Sequence, residues 1–236
     1  MSFKDIFNID AEVKESAHAR VNLIGEHTDY TGGYVMPTLL SFKNTIEISQ
    51  NNSNEFTVYS QHFKEKKTFN DFKKSTNNEW VDYIKGCLHI FFDENKISSR
   101  FLSIFISSDI PLERGISSSS ALCVATLKAL NTFFETKIKD PEIAKLAKKV
   151  EFNYIGVSGG IMDQMVSSIG IHGKAFFMNC KNLEYELINF PENWKFCLID
   201  SEVQRNLRDS SYNERFAELQ EACLLYTSPS PRDTRE

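Results

Sequence analysis

Hydrophobic residues along the chain follow two spacings, one typical of strands and one typical of helices. Residues 45–49 and 56–60 alternate apolar with polar side chains around the turn-forming residues 51–54, which predicts a β-hairpin. Residues 64–78 are charged and lack a clear period, so we expect a surface excursion there. Four further apolar runs predict strands, at residues 101–108, 175–178, 185–188 and 196–199.

Helical spacing occupies much of the remaining sequence. A helix beginning at Trp80 would direct five side chains toward a core, namely Tyr83, Ile84, Cys87, Leu88 and Phe91. A second helix follows a serine-rich turn and carries an apolar face from Ala121 to Phe134. Asp140 predicts the N-cap of a third helix, with proline at its first position. Two more helices are predicted, one after the glycines near residue 160 and one from about residue 209.

Composition narrows the class of protein. A chain of 236 residues is long enough for one large domain or two modest ones. The net charge of −5 and the lack of a basic block argue against a nucleic-acid surface. Five scattered cysteines without a Cys-x-x-Cys pair favour reduced thiols in a cytoplasmic protein. The sequence contains neither a signal peptide nor an apolar run long enough to cross a bilayer, so no membrane partner is expected.

The most informative stretch is residues 20–33. An apolar, strand-like run breaks at Gly25 and is followed by Glu26, His27 and Asp29 before a Gly-Gly turn. A strand that ends in polar side chains can aim them into a cleft, and carboxylates accept hydrogen bonds from vicinal hydroxyls in fixed geometry. Composition alone fits a solvent-exposed polar hairpin equally well.

A second candidate lies at residues 111–121, where glycine and serines precede a predicted helix. Unpaired backbone N–H groups and hydroxyls at the positive end of a helix dipole form an anion site. A serine cap on a core helix is the alternative, although four serines after Gly115 exceed what capping requires.

A third candidate is Asp163, predicted in the first turn of a helix after a glycine loop. The helix dipole favours the ionised carboxylate there, as a general base requires. An aspartate that only caps the helix is the alternative reading.

Three of these segments resemble motifs of the galactokinases, within the GHMP family of small-molecule kinases. Residues 20–30 read R-V-N-L-I-G-E-H-T-D-Y, which reproduces the galactokinase signature without a gap. Residues 115–119 are similar to the core of the family's phosphate-binding motif. Residues 160–164 read G-I-M-D-Q, at the family's spacing from Glu151. The resemblance implies an α+β, two-domain GHMP kinase fold, with a ribosomal S5 domain 2-like amino-terminal domain and an incomplete ferredoxin-like carboxy-terminal domain.

The resemblance also implies roles for individual residues. Asp163 and Arg20 would be catalytic, and the sugar would be bound by Glu26, His27, Asp29, Gly160 and Tyr212. ATP would lie against Gly115, Ser117, Ser118, Ser119 and Trp80, although a buried core aromatic is the alternative for Trp80. Mg²⁺ would be held by Ser119 and Glu151.

The chain departs from the family pattern at several positions. Glu113 stands where glycine is usual, which puts the upstream half of the phosphate motif in doubt. Ser120 replaces the usual alanine, and Ser211 replaces a glutamate in the segment that resembles S-x-E-Y-x-x-R. His18 and Ala19 replace the Pro-Gly that usually precedes the arginine, which affects the local turn more than the chemistry.

The expected domains are 1–180 for the amino-terminal domain with the sugar and ATP motifs, 181–223 for the start of a truncated carboxy-terminal domain, and 224–236 for a non-native tail. The family's third, glycine-rich motif does not occur, so we expect this chain itself to lack kinase activity and to be protease-sensitive after about residue 180.

The implied function is ATP-dependent phosphorylation of galactose at its anomeric hydroxyl, giving galactose 1-phosphate. Two alternatives stay open: a galactokinase-like sugar sensor, and a kinase for N-acetylgalactosamine or a related sugar. The oligomeric state is not indicated by the sequence.

Overall fold

A computed structural model describes residues 1–75, 79–111, 114–202 and 212–227, with side chains described for 214–224 in the last segment. The strands are β1 (Val13–Asn22), β2 (Tyr34–Val35), β3 (Pro37–Gln50), β4 (Phe56–Ser60), β5 (Glu65–Phe69), β6 (Leu102–Ser108), β7 (Lys174–Asn179) and β8 (Tyr185–Asn189). The helices are α1 (Phe3–Phe7), α2 (Val81–Asn95), α3 (Ser118–Phe133), α4 (Asp140–Lys149), α5 (Met162–Ile169) and α6 (Tyr212–Thr227), and a π-helical turn, Val150–Ile155, follows α4. Within these segments no helix is long and apolar enough to cross a membrane.

All eight strands belong to one mixed sheet in the order β2-β7-β3-β6-β4-β5, with β1 paired to β3 and β8 paired to β7. The 14-residue strand β3 is the central strand of this sheet, because it pairs with β1, β6 and β7. All pairings are antiparallel except β4 with β6. The predicted strands at 101–108, 175–178 and 185–188 are therefore confirmed.

The predicted hairpin between residues 45–49 and 56–60 is wrong in its pairing. Both segments are strands, but β6 lies between β3 and β4. All five residues of β4 are buried, so β4 takes a partner on each side, β5 and β6. Local alternation identified the strands, whereas their neighbours depend on burial by distant parts of the chain.

The segment at 64–78, predicted as a surface excursion, contains the edge strand β5. Its Lys66 and Thr68 are exposed, whereas Glu65, Lys67 and Phe69 are at least partly buried. Charged side chains such as Lys66 on an edge strand discourage pairing with other chains. The predicted strand at 196–199 is also wrong. Those residues form no strand, and Ile199 is 88% exposed, so this apolar run lies outside the sheet.

The core lies between the sheet and the helices α2, α3 and α4. It includes Ile46, Ile48 and Val58 from the strands and Leu88, Leu127 and Ile143 from the helices, all fully buried. The predicted inner face of α2 is confirmed, with Tyr83 at its half-buried margin. Lys139, not Asp140, is the residue that precedes α4, so Pro141 occupies its second position.

Beyond residue 180, β8 continues the sheet by pairing with β7 along its whole length. The domain limits drawn from the sequence stay a prediction. Of the tail proposed at 224–236, residues 224–227 belong to the last turn of α6, and residues 228–236 lie outside the described residues.

Candidate active site

Arg20 lies near the end of β1, at the point where the pairing of β1 with β3 becomes irregular. The register shifts between His18 and Arg20, a bulge of the kind that re-aims a side chain. The Arg20 N–H also donates to the carbonyl of Ile116, which ties β1 to the serine-rich turn. The arginine side chain is only 14% exposed.

Arg20 forms a two-pronged ion pair with Asp163 on the first turn of α5. Its Nε donates to Asp163 Oδ1 at 2.6 Å and its Nη2 donates to Oδ2 at 2.5 Å. Its Nη1 donates to the carbonyl oxygen of Gly115 at 2.9 Å. Burial opposes the charge of Arg20, but Asp163, with smaller contributions from Glu26 and Asp29, raises the pKa of the guanidinium overall. One side chain thus joins β1, the serine-rich turn and α5.

The turn before α3 leads into the helix end at which the sequence predicts an anion site. Gly115 has φ 72° and Ser117 has φ 64°, so the chain passes twice through the left-handed region. Ser117 directs its hydroxyl to Asp163 Oδ2 and makes no side-chain cap on the helix it precedes. The N–H groups of the first turn therefore lack that cap, which leaves them suited to an anion. Glu113 lies outside the described residues.

Glu151 lies in the π-helical turn after α4 and is buried. The Ser120 hydroxyl lies 3.1 Å from each of its carboxylate oxygens, and Gln164 and Ser119 also donate to it. Burial raises the pKa of the Glu151 carboxyl, an effect that the hydrogen bonds from Ser119, Ser120 and Gln164 offset only in part. π-helical turns of this kind recur at functional sites.

Oxygen donors at Glu151 suit a hard divalent cation. Gln164 Oε1 is buried and has no hydrogen-bond partner among the described residues. Mg²⁺ is usually bound by one or two carboxylates together with phosphate oxygens and waters. In the part of the chain that the structure describes, no group of three His, Cys, Asp or Glu side chains could hold a metal ion. A single buried carboxylate with the unpartnered amide oxygen of its neighbour Gln164 fits a cation that is bound largely by phosphates and waters.

The segment after β1 folds back on itself and brings Asp29 against the glycine loop before α5. Gly25 has φ 104°, and a Cβ there would lie 2.6 Å from the carbonyl oxygen of Tyr34. A Cβ at Gly160 would overlap the carboxylate of Asp29, so this contact requires glycine. Glu26 accepts a hydrogen bond from Asn22 at 3.0 Å. His27 Nδ1 and the Tyr30 hydroxyl are 2.7 Å apart.

Most of the predicted site residues therefore lie together around Arg20 and Asp163, including Gly115, Ser117, Asp29 and Gly160. Trp80 is separate. It is half-buried, donates to Glu65 at 2.9 Å and stacks on Phe63. Tyr212 begins α6, but its side chain is outside the described residues. On the same helix, Phe216 contacts the ring of Tyr30, so α6 lies beside the polar segment after β1.

Lys148 is a site residue that sequence reasoning missed. It is half-buried, and its ammonium donates to the carbonyls of Gly159 and Gly160. The sequence contains three lysines on α4, and no local signal separates Lys148 from Lys145 and Lys149. Its place depends on the glycine loop folding back over α4.

Two family profiles match this chain. The profile of the family described as GHMP kinases N terminal domain matches residues 82–170. The profile described as galactokinase galactose-binding signature matches residues 1–50. Together the two matches span more than half of the chain.

Two curated relatives are galactokinases of archaea. The galactokinase of Pyrococcus furiosus is 35% identical over 227 residues, covering 96% of this chain and 63% of the relative. That of Thermococcus kodakarensis is 36% identical over 221 residues, covering 92% and 61%. The chain thus spans about three-fifths of the length of the curated relatives it matches.

Among solved structures, the Lactococcus lactis galactokinase complexed with galactose matches with a TM-score of 0.84 and 30% identity, covering 97% of this chain and 61% of that one. The Methanococcus jannaschii mevalonate kinase, 23% identical with a TM-score of 0.64, shares the fold. The motifs, the mixed sheet and these likenesses lead to one conclusion: the chain belongs to the GHMP kinase family and, within it, is similar to the galactokinases.

Proposed function

We propose that this chain carries the sugar and phosphate sites of an ATP-dependent galactose 1-kinase. The observation that supports this most directly is the position of Asp163. Its carboxylate is held by Arg20 and Ser117. Arg20 also bonds Gly115 of the serine-rich turn and is influenced by the charges of Glu26 and Asp29 in the polar segment after β1. A base between an anion site and a hydroxyl-binding site suits transfer of a phosphoryl group to a sugar.

The sugar side of the site consists of side chains that accept or donate hydrogen bonds. Asp29 and Glu26 supply carboxylate oxygens for sugar hydroxyls, and His27 supplies a ring nitrogen. The close contact between Gly160 and Asp29 fixes one carboxylate at the edge of α5. The match to a galactose-binding signature and the likeness to a galactokinase complexed with galactose support galactose as the sugar. By resemblance Tyr212 adds a contact from α6.

The phosphate side is the turn at residues 115–119. Its left-handed residues direct backbone N–H groups toward the space before α3, where the helix dipole favours the ATP phosphates. Ser119 and Glu151 would hold Mg²⁺, which when bound neutralises charge on the phosphate oxygens. By resemblance Trp80 borders the base, although its hydrogen bond to Glu65 and its stacking on Phe63 also suit a purely structural aromatic.

In the reaction, Asp163 accepts the proton of the anomeric hydroxyl as the sugar oxygen bonds to the γ-phosphorus and the bond from phosphorus to ADP breaks. Because Arg20 and Ser117 hold the Asp163 carboxylate in place, orientation of the hydroxyl is a large part of its role. Such orientation contributes roughly 7–11 kcal/mol in favourable cases. Arg20 also places a positive charge next to the turn at Gly115.

Calorimetric titration of sugars into the 236-residue chain tests the sugar half of this proposal. Galactose should bind with release of heat, and glucose, which differs at one hydroxyl, should bind at least about tenfold more weakly. Stronger binding of N-acetylgalactosamine than of galactose would favour the alternative of a kinase for N-acetylgalactosamine. Equal binding of galactose and glucose would contradict the assignment.

A further inference from the structure

Lys148 occupies an unusual place for a lysine on a short helix. It is the penultimate residue of α4, and its ammonium reaches across to the loop that leads into α5. There it donates to the carbonyl oxygen of Gly160 at 2.9 Å and to that of Gly159. Two bonds from one ammonium fix the backbone of these two glycines, which have no side chains of their own to hold the loop.

Acidic groups from four parts of the fold act electrostatically on this ammonium. They are Asp29 after β1, Glu151 in the π-helical turn, Asp163 on α5 and the thiol of Cys180 after β7. Burial lowers the pKa of Lys148, and these groups act in the opposite direction, with Asp29 contributing most among them. Lys148 therefore supplies positive charge near Asp29, Glu151 and Asp163, and Arg20 supplies another positive charge bonded directly to Asp163.

A steric contact connects this loop to Asp29 in the polar segment after β1. The Asp29 carboxylate rests against Gly160 so closely that a Cβ at that position would overlap it. A small displacement of Gly160 therefore displaces the surface on which Asp29 lies. Lys148 is bonded to the carbonyl of that same glycine.

We propose that Lys148 is a positioning residue for sugar binding: its ammonium holds the Gly159–Gly160 backbone in place and so fixes the carboxylate of Asp29. It acts through the loop rather than by touching the sugar. The inference rests on the proposed function for the identity of the ligand, whereas the positioning of the loop is testable without any ligand.

The chain offers a matched control in the next residue. Lys149 lies on the same helical turn, and its side chain is 44% exposed and paired with Glu94 at 2.7 Å. Lys149→Met removes the same charge from the same helix without touching the glycine loop. Lys148→Arg keeps the charge and several donors, and Lys148→Met removes both.

Hydrogen exchange of the unliganded protein tests the positioning directly. In Lys148→Met, amides of residues 156–161 and 26–33 should exchange roughly tenfold faster than in the unmodified protein, because the loop opens more often. Lys149→Met should leave both segments unchanged, and Lys148→Arg should recover part of the protection. Unchanged exchange in Lys148→Met would overturn the proposal. So would a uniform rise over α2 and α3, which would mean general destabilisation.

Calorimetry then separates positioning from folding. Galactose should bind Lys148→Met roughly 10–100-fold more weakly, whereas ATP with Mg²⁺ should bind within about threefold of the unmodified protein. Equal losses for sugar and nucleotide would overturn the specific link to Asp29. If the unmodified protein binds no galactose but Lys148→Met still exchanges faster, the role of Lys148 in positioning the loop stands and galactose is wrong as the ligand.

Discussion

The ion pair between Arg20 and Asp163 should contribute measurably to stability as well as to chemistry. The two side chains are 14% and 25% exposed, so the pair lies between a surface and a fully buried one. Exposed pairs contribute about 0–1 kcal/mol, whereas removing one member of a buried pair costs about 3–5 kcal/mol. With two hydrogen bonds of 2.6 and 2.5 Å, we expect a coupling free energy of about 2 kcal/mol.

The two single substitutions should differ in cost. Arg20→Met also removes the bond to Gly115 and leaves Asp163 half-buried with Ser117 as its remaining donor, so we expect a loss of about 3 kcal/mol. Asp163→Asn leaves Arg20 bonded to Gly115 and near the charges of Glu26 and Asp29, so about 2 kcal/mol is expected.

Urea unfolding of the unmodified protein, both single variants and the double variant gives the coupling free energy from the four midpoints and slopes. The surface pair Lys149–Glu94, with side chains 44% and 39% exposed, is the control, and its coupling should be at most about 1 kcal/mol. A coupling for Arg20 and Asp163 no larger than that of the control would refute the reasoning.

Three further outcomes follow from the geometry. Ser119→Ala should weaken Mg·ATP binding about tenfold and galactose binding hardly at all, because the Ser119 hydroxyl bonds Glu151. Calorimetry with both ligands measures this, and equal losses for the two would indicate a folding defect instead. Gly160→Ala should reduce galactose affinity more than ATP affinity, because a Cβ there overlaps Asp29, and unchanged galactose affinity would contradict that contact. Burial, together with the negative charge of Asp29, raises the pKa of Cys180 to about 12. At pH 8 the thiolate is therefore about one part in 10⁴ of this cysteine. Alkylation followed by mass spectrometry should therefore label the exposed Cys197 long before Cys180, and equal rates would refute this.

The order of residues in the sequence predicted which side chains lie together better than it predicted how the strands pair. The text around Arg20 and Asp163 is short and specific, and the structure brings both residues together from positions 143 apart. Element types were also predictable, because the inner faces of α2 and α4 carry their periodicity in the local sequence.

Strand pairing could not be predicted in the same way. Residues 45–49 and 56–60 have the alternation and turn of a hairpin, but a strand from beyond residue 100 is inserted between them. Which strands pair with β4 depends on burying all of its residues, and that burial is a property of the whole core. The apolar run at 196–199 has the composition of a strand but no partner in the sheet, and it forms no strand.

Lys148 illustrates a third limit. Its neighbours on α4 are lysines of similar local context, and only the return of the glycine loop distinguishes it. A residue that acts on backbone carbonyls leaves no motif in its own segment.

Phosphorus NMR of the product shows whether galactose is phosphorylated at its anomeric oxygen. The chain spans about three-fifths of the length of its relatives, so two proteins are assayed. One is the chain alone, and the other is the chain followed by the remaining segment of the Pyrococcus furiosus relative. A cooperative thermal transition first shows that each protein is folded. With Mg·ATP and galactose, the extended protein should yield a phosphate coupled to the anomeric proton, and Asp163→Asn should reduce the rate about 10²–10⁴-fold. Phosphate on another hydroxyl, no sugar phosphate from a folded extended protein, or undiminished turnover by Asp163→Asn would contradict the account.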